Sequence, residues 1–239
     1  MKTNIRFEFK YVINRQQARQ IEAYVGKIGL AKDGPGHGQY TVCSLYFDTP
    51  ALKDYYDKQA GLKCRRKLRV RIYSEDFNRE TFKIWLEAKE KRDMFVFKKR
   101  QAIRHNEWLK FSNNGTHFDA RQLLNKEEES RHFSYHFLRG NYKPHVVVIY
   151  ERKAYIGNFL APFRLTLDSD IRACKWRDFG YNKNTVPVKK DKVVLEVKFF
   201  IAMPWWFKDM INRFSLKRQA FSKYMNAVDA ISRFNKIAK

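Results

Sequence analysis

Lys67-Leu68-Arg69-Val70-Arg71-Ile72-Tyr73 sets cations at alternate positions, with Leu, Val and Ile between them. Successive side chains of a strand point to opposite faces, so a period of two makes one charged face and one apolar face. Arg6-Phe-Glu-Phe-Lys-Tyr-Val-Ile13 alternates in the same way. Residues 82–89 place Trp85, Glu87 and Lys89 on one face, and residues 94–103 set Lys98 and Arg100 together. Residues 146–155 align Val148, Tyr150 and Arg152, and residues 163–171 align Arg164, Thr166 and Asp168. Residues 192–200 bring Glu196 and Lys198 to one side. With residues 40–48 added, the pattern predicts about eight strands.

One such segment is what any half-buried sheet shows. Seven of them, each with charged residues at alternate positions and Phe, Val, Ile or Leu opposite, predict more. Helices would cover the apolar faces while the charged faces turn inward. The expected fold is therefore α+β: a closed, mainly antiparallel eight-stranded β-barrel forming a tunnel, with helices packed outside. Asn14 is a candidate N-cap for a helix over residues 16–28, where Ala18, Ile21 and Val25 recur at helical spacing. Thr49-Pro50 opens a short helix to about residue 58. Residues 118–138 read as helix. So do residues 219–237, whose stripe of Phe221, Tyr224, Val228 and Ile231 closes the chain near the tunnel. Residues 32–38, 112–115 and 177–190 have loop composition. No repeat or linker interrupts the pattern, so residues 1–239 are expected to form a single domain.

The charge points the same way. Lys and Arg number 49 against 25 Asp and Glu, a net charge of +24, which predicts an anionic partner. Nucleic acid, an anionic membrane surface and a small polyphosphorylated ligand all qualify. An apolar fraction of 44% supports a core and argues against disorder. Cys43, Cys64 and Cys174 form no CxxC, so neither a disulfide framework nor a zinc ribbon is supported. The N-terminus lacks the apolar run of a signal peptide, and the longest aliphatic run, residues 146–149, is too short to span a bilayer. A cytoplasmic protein is expected.

An inward-facing lumen would gather Lys10, Arg69, Arg71, Lys89, Lys98, Arg152, Arg164 and Lys198 against Glu8, Glu87 and Glu196. Clustered like charges with poor access to water cost several kcal/mol per ion unless compensated. An anion of high charge density compensates them, and carboxylates beside it suit a divalent metal. A triphosphate with Mg²⁺ or Mn²⁺ meets both demands. Other constellations carry less. His132 and His136 stand at i, i+4 on a helix without an HExxH acid, and a surface or structural role is expected. Residues 34–38 are followed by no Gly-Lys-Ser/Thr, and Ser222 lacks the elbow glycines of a hydrolase. Trp205-Trp206 is expected to pack in the core. Lys63-Cys-Arg-Arg-Lys67 reads equally as a solvated strand entrance or as an electrostatic funnel.

These residues also carry a resemblance. The chain resembles the triphosphate tunnel metalloenzyme (CYTH-like) superfamily, and within it the polyphosphate polymerase domain of the vacuolar transporter chaperone (VTC) family. Glu8-Phe-Lys10-Tyr11 is similar to the first strand, and Ser44-Leu-Tyr-Phe-Asp48 to an S-x-Y-F-D segment. Arg69-Val-Arg71 resembles the paired arginines of one wall, and Glu87-Ala-Lys89 with Lys98-Lys-Arg100 the next two strands. Arg152 and Arg164 resemble a second arginine pair, Glu196-Val-Lys198 the strand with the metal-binding Glu, and Ser222-Lys223-Tyr224 the start of the closing helix. Tunnel triphosphatases show a fuller Glu-x-Glu-x-Lys on the first strand; here Arg6 takes the first Glu position, which leans toward the polymerase branch.

The resemblance implies transfer of the γ-phosphoryl group of ATP onto inorganic polyphosphate, with Mn²⁺ or Mg²⁺ as cofactor. Arg69, Arg71, Lys89, Lys98, Arg152, Arg164 and Lys223 would clamp phosphates, and Lys10 would face the transferred group. Glu196 and Glu8 would hold the metal. Glu87, Arg100, Lys198 and Ser222 would complete the substrate site. A tunnel triphosphatase is the nearest competing expectation. A non-enzymatic polyanion binder is the other, and nucleic acid is not favoured because the cations alternate within strands instead of forming one exposed patch.

Overall fold

The computed structural model describes residues 6–75, 77, 83–93, 95–115, 117–124, 127–158, 162–179, 184–200 and 202–237; the side chains of residues 6, 114, 158 and 237 fall outside that description. Phe82, Met94 and the Arg6 side chain, all used in the sequence reading, lie outside the described residues. Chain contacts divide the protein into two units. The first comprises Met1–Thr41, Tyr150–Ile171 and Pro187–Ser222, and the second Val42–Ile149, Arg172–Val186 and Lys223–Lys239.

In the first unit β1 (Arg6–Asn14) leads directly into α1 (Arg15–Lys27). Asn14 Oδ1 accepts from the Gln17 amide at 2.7 Å while Gln17 Oε1 accepts from the Asn14 amide at 3.1 Å, a reciprocal box that fixes where the helix starts. β2 (Ala31–Lys32) and the short helical turn α2 (Pro35–Gly38) follow. β3 (Gln39–Asp48) begins here and continues into the second unit. The second unit then adds α3 (Lys53–Gln59), β4 (Arg65–Ile72), β5 (Ile84–Arg92), β6 (Phe95–Ile103), α4 (His105–Ser112) and α5 (Glu128–Arg139). β7 (Lys143–Asn158) and β8 (Pro162–Lys175) are the long strands, and β9 (Val186–Pro187) pairs with β8. β10 (Lys192–Phe200) and α6 (Trp205–Arg213) complete the first unit, and α7 (Lys223–Ile237) belongs to the second.

The strand pairs β1–β10, β10–β8, β2–β7, β3–β4, β4–β5 and β5–β6 are all antiparallel. β1, β10, β8 and β7 are hydrogen-bonded in that order, with β2 against β7, in the first unit; β3, β4, β5 and β6 follow one another in the second. The chain is α+β, and eight of its ten described strands exceed two residues, matching the expected number.

Each unit sorts its residues by strand parity. In the second, Leu68, Val70, Ile72, Leu86 and Ala88 pack with Trp108, Phe111, Phe133 and Phe137 from α4 and α5. Phe47 sits among Phe111, Phe118, Phe133 and Phe137 with ring centroids 5.2–6.1 Å apart. Burying each such ring contributes about 1.5–3 kcal/mol. In the first unit Leu165, Leu167, Leu195 and Val197 pack with Ile21 and Val25 of α1 and with Trp206, Phe207 and Met210 of α6.

Three expectations are corrected. Residues 118–138 are not one helix: a 3₁₀ turn over Ala120–Leu123 precedes α5, and residues 125–126 fall outside the description. The closing helix starts at Lys223 instead of residue 219, because the Gln219 amide donates to Lys10 O at 2.9 Å and keeps that stretch extended. Trp206 packs in the core at 3% exposure as expected, but Trp205 is 78% exposed, because Trp206, Phe207 and Met210 make up the apolar face of α6 and Trp205 lies on the side away from it. α4 and α6 were not foreseen. Among the described residues no helix is long and apolar enough to cross a membrane.

Candidate functional site

The register of the second unit places its cations side by side. Arg69 lies opposite Glu87 and Tyr46, Arg71 opposite Ser44 and Trp85, Lys67 opposite Lys89, Glu87 opposite Arg100, and Lys89 opposite Lys98. These are the positions left over when the apolar residues turn to the helices. Glu87, 1% exposed, is the hub: its Oε2 takes Arg69 Nε at 2.5 Å, and its Oε1 lies 2.8 Å from Lys98 Nζ and 3.1 Å from Arg100 Nε. One negative charge thus faces three positive ones. Burial alone would raise the Glu87 pKa, but Arg69, Arg71 and Lys98 outweigh it and hold the carboxyl well below its usual range. Burial together with Arg69 and Arg71 pulls Lys98 down to about 8 in spite of Glu87.

Arg71 is buried and donates Nε to Ser44 Oγ at 3.0 Å; among the described residues no carboxylate forms an ion pair with it. Aromatic side chains hold the remaining guanidinium groups in place. Arg69 donates to Tyr46 Oη at 3.0 Å, and Arg100 donates to Tyr73 Oη at 2.8 Å while its Cζ stands 3.5 Å from the Trp85 ring centre.

Lys223 and Asp48 also belong to the second unit. The buried Asp48 accepts the amides of Thr49, Asp54 and Tyr55 at 2.7–3.0 Å and the Tyr224 hydroxyl at 2.5 Å, which locks the first turn of α7 and with it Lys223. Tyr142 donates its hydroxyl to Asp54 at 2.9 Å. Burial, reinforced by Asp48, lifts the Asp54 carboxyl to about 7.

The first unit carries a more balanced face. Lys10 lies opposite Glu196, Glu8 opposite Lys198, Glu196 opposite Thr166, and Lys198 opposite Arg164. Lys10 Nζ is 3.0 Å from Glu8 Oε1 and 3.4 Å from Glu196 Oε2, and it also donates to Phe221 O at 3.4 Å. Glu196 pairs in addition with Lys198. Burial alone would lower Lys10, but Glu196 and Glu8 raise it, so it stays charged. Burial lowers Lys198 despite Glu196.

Two arginines expected to clamp phosphate are already occupied. Arg152, 6% exposed, makes a fork to Asp168 at 2.7 and 2.9 Å, and Arg164 contacts Asp33 at 2.6 Å and Tyr40 Oη at 3.2 Å. Asp33 and Tyr40 come from segments distant in sequence, and nothing in the strand pattern paired them with Arg164. Ser222 is buried next to Phe221.

Glu8 and Glu196 flank Lys10 from adjacent strands, and Thr166 Oγ1, on the residue opposite Glu196, is buried without a hydrogen-bond partner. Two carboxylates and a hydroxyl are hard oxygen donors, the set that Mg²⁺ or Mn²⁺ accepts when substrate phosphates and water supply the rest. The residues therefore fit such an ion.

A model of the VTC domain matches residues 5–232. The chain belongs to the VTC domain family. No curated protein matches it. Among solved structures, this VTC domain is similar to a Bacillus halodurans protein provisionally assigned as an adenylate cyclase. That likeness has 15% identity and a TM-score of 0.51, covering 93% of this chain and 96% of the other. It is also similar to a Hippeastrum protein, provisionally assigned as an adenylyl cyclase, with a dominant triphosphatase activity. Here the identity is 13% and the TM-score 0.54, over 95% of this chain and 97% of the other. At these identities the likeness shows the shared fold. It does not carry an activity.

Proposed function

We propose that this VTC domain is a metal-dependent polyphosphate polymerase that transfers the γ-phosphoryl group of ATP to a growing inorganic polyphosphate chain. The closed eight-stranded barrel, the assignment of residues 1–239 to one domain and a cytoplasmic setting are parts of the same proposal. The observation that carries it is the charge imbalance around Glu87, where Arg69, Lys98 and Arg100 meet one carboxylate beside the buried Arg71. Such a face is left electrostatically incomplete until a polyanion arrives.

Phosphoryl transfer needs alignment and neutralisation of oxygen charge more than covalent help from the protein. A terminal oxygen of the acceptor chain forms a bond to the γ-phosphorus as the bond to the β–γ bridging oxygen breaks, and ADP leaves. The acceptor is already ionised, so no general base is required. Arg69, Arg71, Lys89, Lys98 and Lys223 hold the phosphates, with Arg100 and Glu87 setting the spacing of the cations. Lys10 and Lys198 meet the transferred group, Ser222 borders it, and Arg152 and Arg164 act through Asp168 and Asp33 as rigid walls. Glu196 and Glu8 would hold Mg²⁺ or Mn²⁺, which, when bound, screens the charge between phosphate oxygens.

A triphosphatase is the second reading, favoured by the Glu8–Lys10–Glu196 arrangement, which serves water as readily as phosphate as the attacking group. Incubation with ATP and Mn²⁺ separates them. Gel-resolved chains with stoichiometric ADP support the polymerase; orthophosphate without chains overturns it in favour of hydrolysis. Tight, salt-sensitive binding without turnover would leave only a polyanion-binding module.

A further inference from the structure

Glu90, His132 and His136 converge on one point in the second unit. Glu90 follows Ile84, Leu86 and Ala88 in strand parity, so it belongs to the helix-covered face of β5 and not to the face of Glu87 and Lys89. The two histidines lie one turn apart on α5, and their rings are directed at the same carboxylate. His132 Nε2 is 3.1 Å and His136 Nε2 3.2 Å from Glu90 Oε1, and the two nitrogens are 3.3 Å apart.

Hydrogen bonding does not explain this triangle. Each neutral imidazole carries a single N–H, and if both point at the carboxylate they leave two hydrogens facing each other. Glu90 Oε1 and His132 Nδ1 are buried without a hydrogen-bond partner. A tetrahedral ion with bonds of about 2.0–2.1 Å to nitrogen and oxygen separates its ligand atoms by about 3.3 Å, the separation found here. Arg66 Nε lies 3.5 Å from Glu90 Oε1 and Arg92 Nη2 3.1 Å from Oε2. These guanidinium groups oppose a cation held by charge alone, so the imidazoles must supply the affinity. That favours a borderline ion such as Zn²⁺ over Mg²⁺ or Ca²⁺. His136 also borders a cavity of about 340 Å³ lined by Arg66, Arg139, Gly140 and Tyr142, which has room for a water or small anion as fourth ligand.

We propose that Glu90, His132 and His136 form a Zn²⁺-class site that pins α5 to β5, distinct from the oxygen-donor set of Glu8 and Glu196. The sequence reading gave the histidines a surface or structural role because the acid they need comes from another element.

Titration of the metal-free full chain with Zn²⁺ tests this. The expected result is one equivalent bound, a rise in the unfolding midpoint, and tetrahedral-type visible bands with Co²⁺ in place of Zn²⁺, none of it produced by Mg²⁺. His132→Gln and His136→Gln should each lose the bound equivalent and the midpoint rise while remaining folded by circular dichroism. Retention of both in the two variants would overturn the site. Should the variants not fold, zinc-edge anomalous scattering from crystals of the unaltered protein decides: a peak among the three side chains supports the site, and its absence from zinc-soaked crystals overturns it.

Discussion

The Tyr224 hydroxyl donates to Asp48 Oδ2 at 2.5 Å, joining the end of β3 to the first turn of α7 across a sequence separation of 176 residues. Both residues are 1% exposed, and Lys223 is the neighbour of Tyr224. Replacing Tyr224 by Phe removes one of four donors to a buried carboxylate. The expected loss is about 1–2 kcal/mol, near the lower end for a buried partner because three amides remain. Lys223→Ala should cost less stability and instead raise KM for ATP. Urea unfolding alongside steady-state kinetics of the two variants checks the ordering.

Glu87→Gln strips the counter-charge from Arg69, Lys98 and Arg100. Removing one partner of a buried ion group costs about 3–5 kcal/mol, and that is the expected loss at pH 7. The folded chain holds the Glu87 proton less tightly than the unfolded chain, so its contribution is complete above the ordinary carboxyl value of 4.5 and drains as pH falls below it. Unfolding free energies measured from pH 7 down to pH 3 should therefore fall more steeply for the parent protein than for Glu87→Gln. Parallel curves would contradict the assignment.

Asp54 works in the opposite direction. Its carboxyl is raised to about 7 from 3.8, so the folded chain keeps a proton the unfolded chain has released. Its contribution is most favourable below pH 3.8 and declines as pH rises, with the loss complete above about 7. Asp54→Asn still offers an oxygen to Tyr142 and has no charge to bury. Relative to the parent it should gain stability progressively between pH 4 and 7 and plateau above that, as measured by thermal unfolding across the range.

Glu196→Gln leaves the strand register intact and removes a proposed metal ligand next to Lys10. Turnover of ATP should drop by on the order of 10²-fold or more, while triphosphate binding in the absence of metal persists. Activity retained at the parental level in Mn²⁺ would remove Glu196 from the metal site.

Much of this architecture was legible because strand parity is a local property. Arg69 and Arg71 alternate with Leu68, Val70 and Ile72, and nothing beyond those residues is needed to see two faces. The N-cap at Asn14 was equally readable, although its reciprocal partner Gln17 was not singled out. What escaped the reading depends on segments far apart in sequence. Asp33 and Tyr40 engage Arg164 from a loop and a strand start, and Glu90 meets His132 and His136 only once α5 lies on β5. α4 was hidden because its apolar residues, Trp108, Leu109 and Phe111, fall within a single turn and set up no period. α7 starts later than its composition suggests because residues 219–222 look helical but spend a backbone amide on Lys10 O.

The parity of β4 has a bearing on how the chain avoids misfolding. Sliding this strand by one residue against β3 or β5 would exchange its faces and drive Arg69 and Arg71 into the rings of Phe47, Trp108 and Phe133 while wetting Leu68 and Val70. Sheets with two bland faces tolerate such slippage, whereas this one penalises it at every cation. The charges proposed to receive a polyanion thus also act as alignment marks while the chain assembles, so neutralising them one by one should make folding less accurate before it makes the folded state less stable.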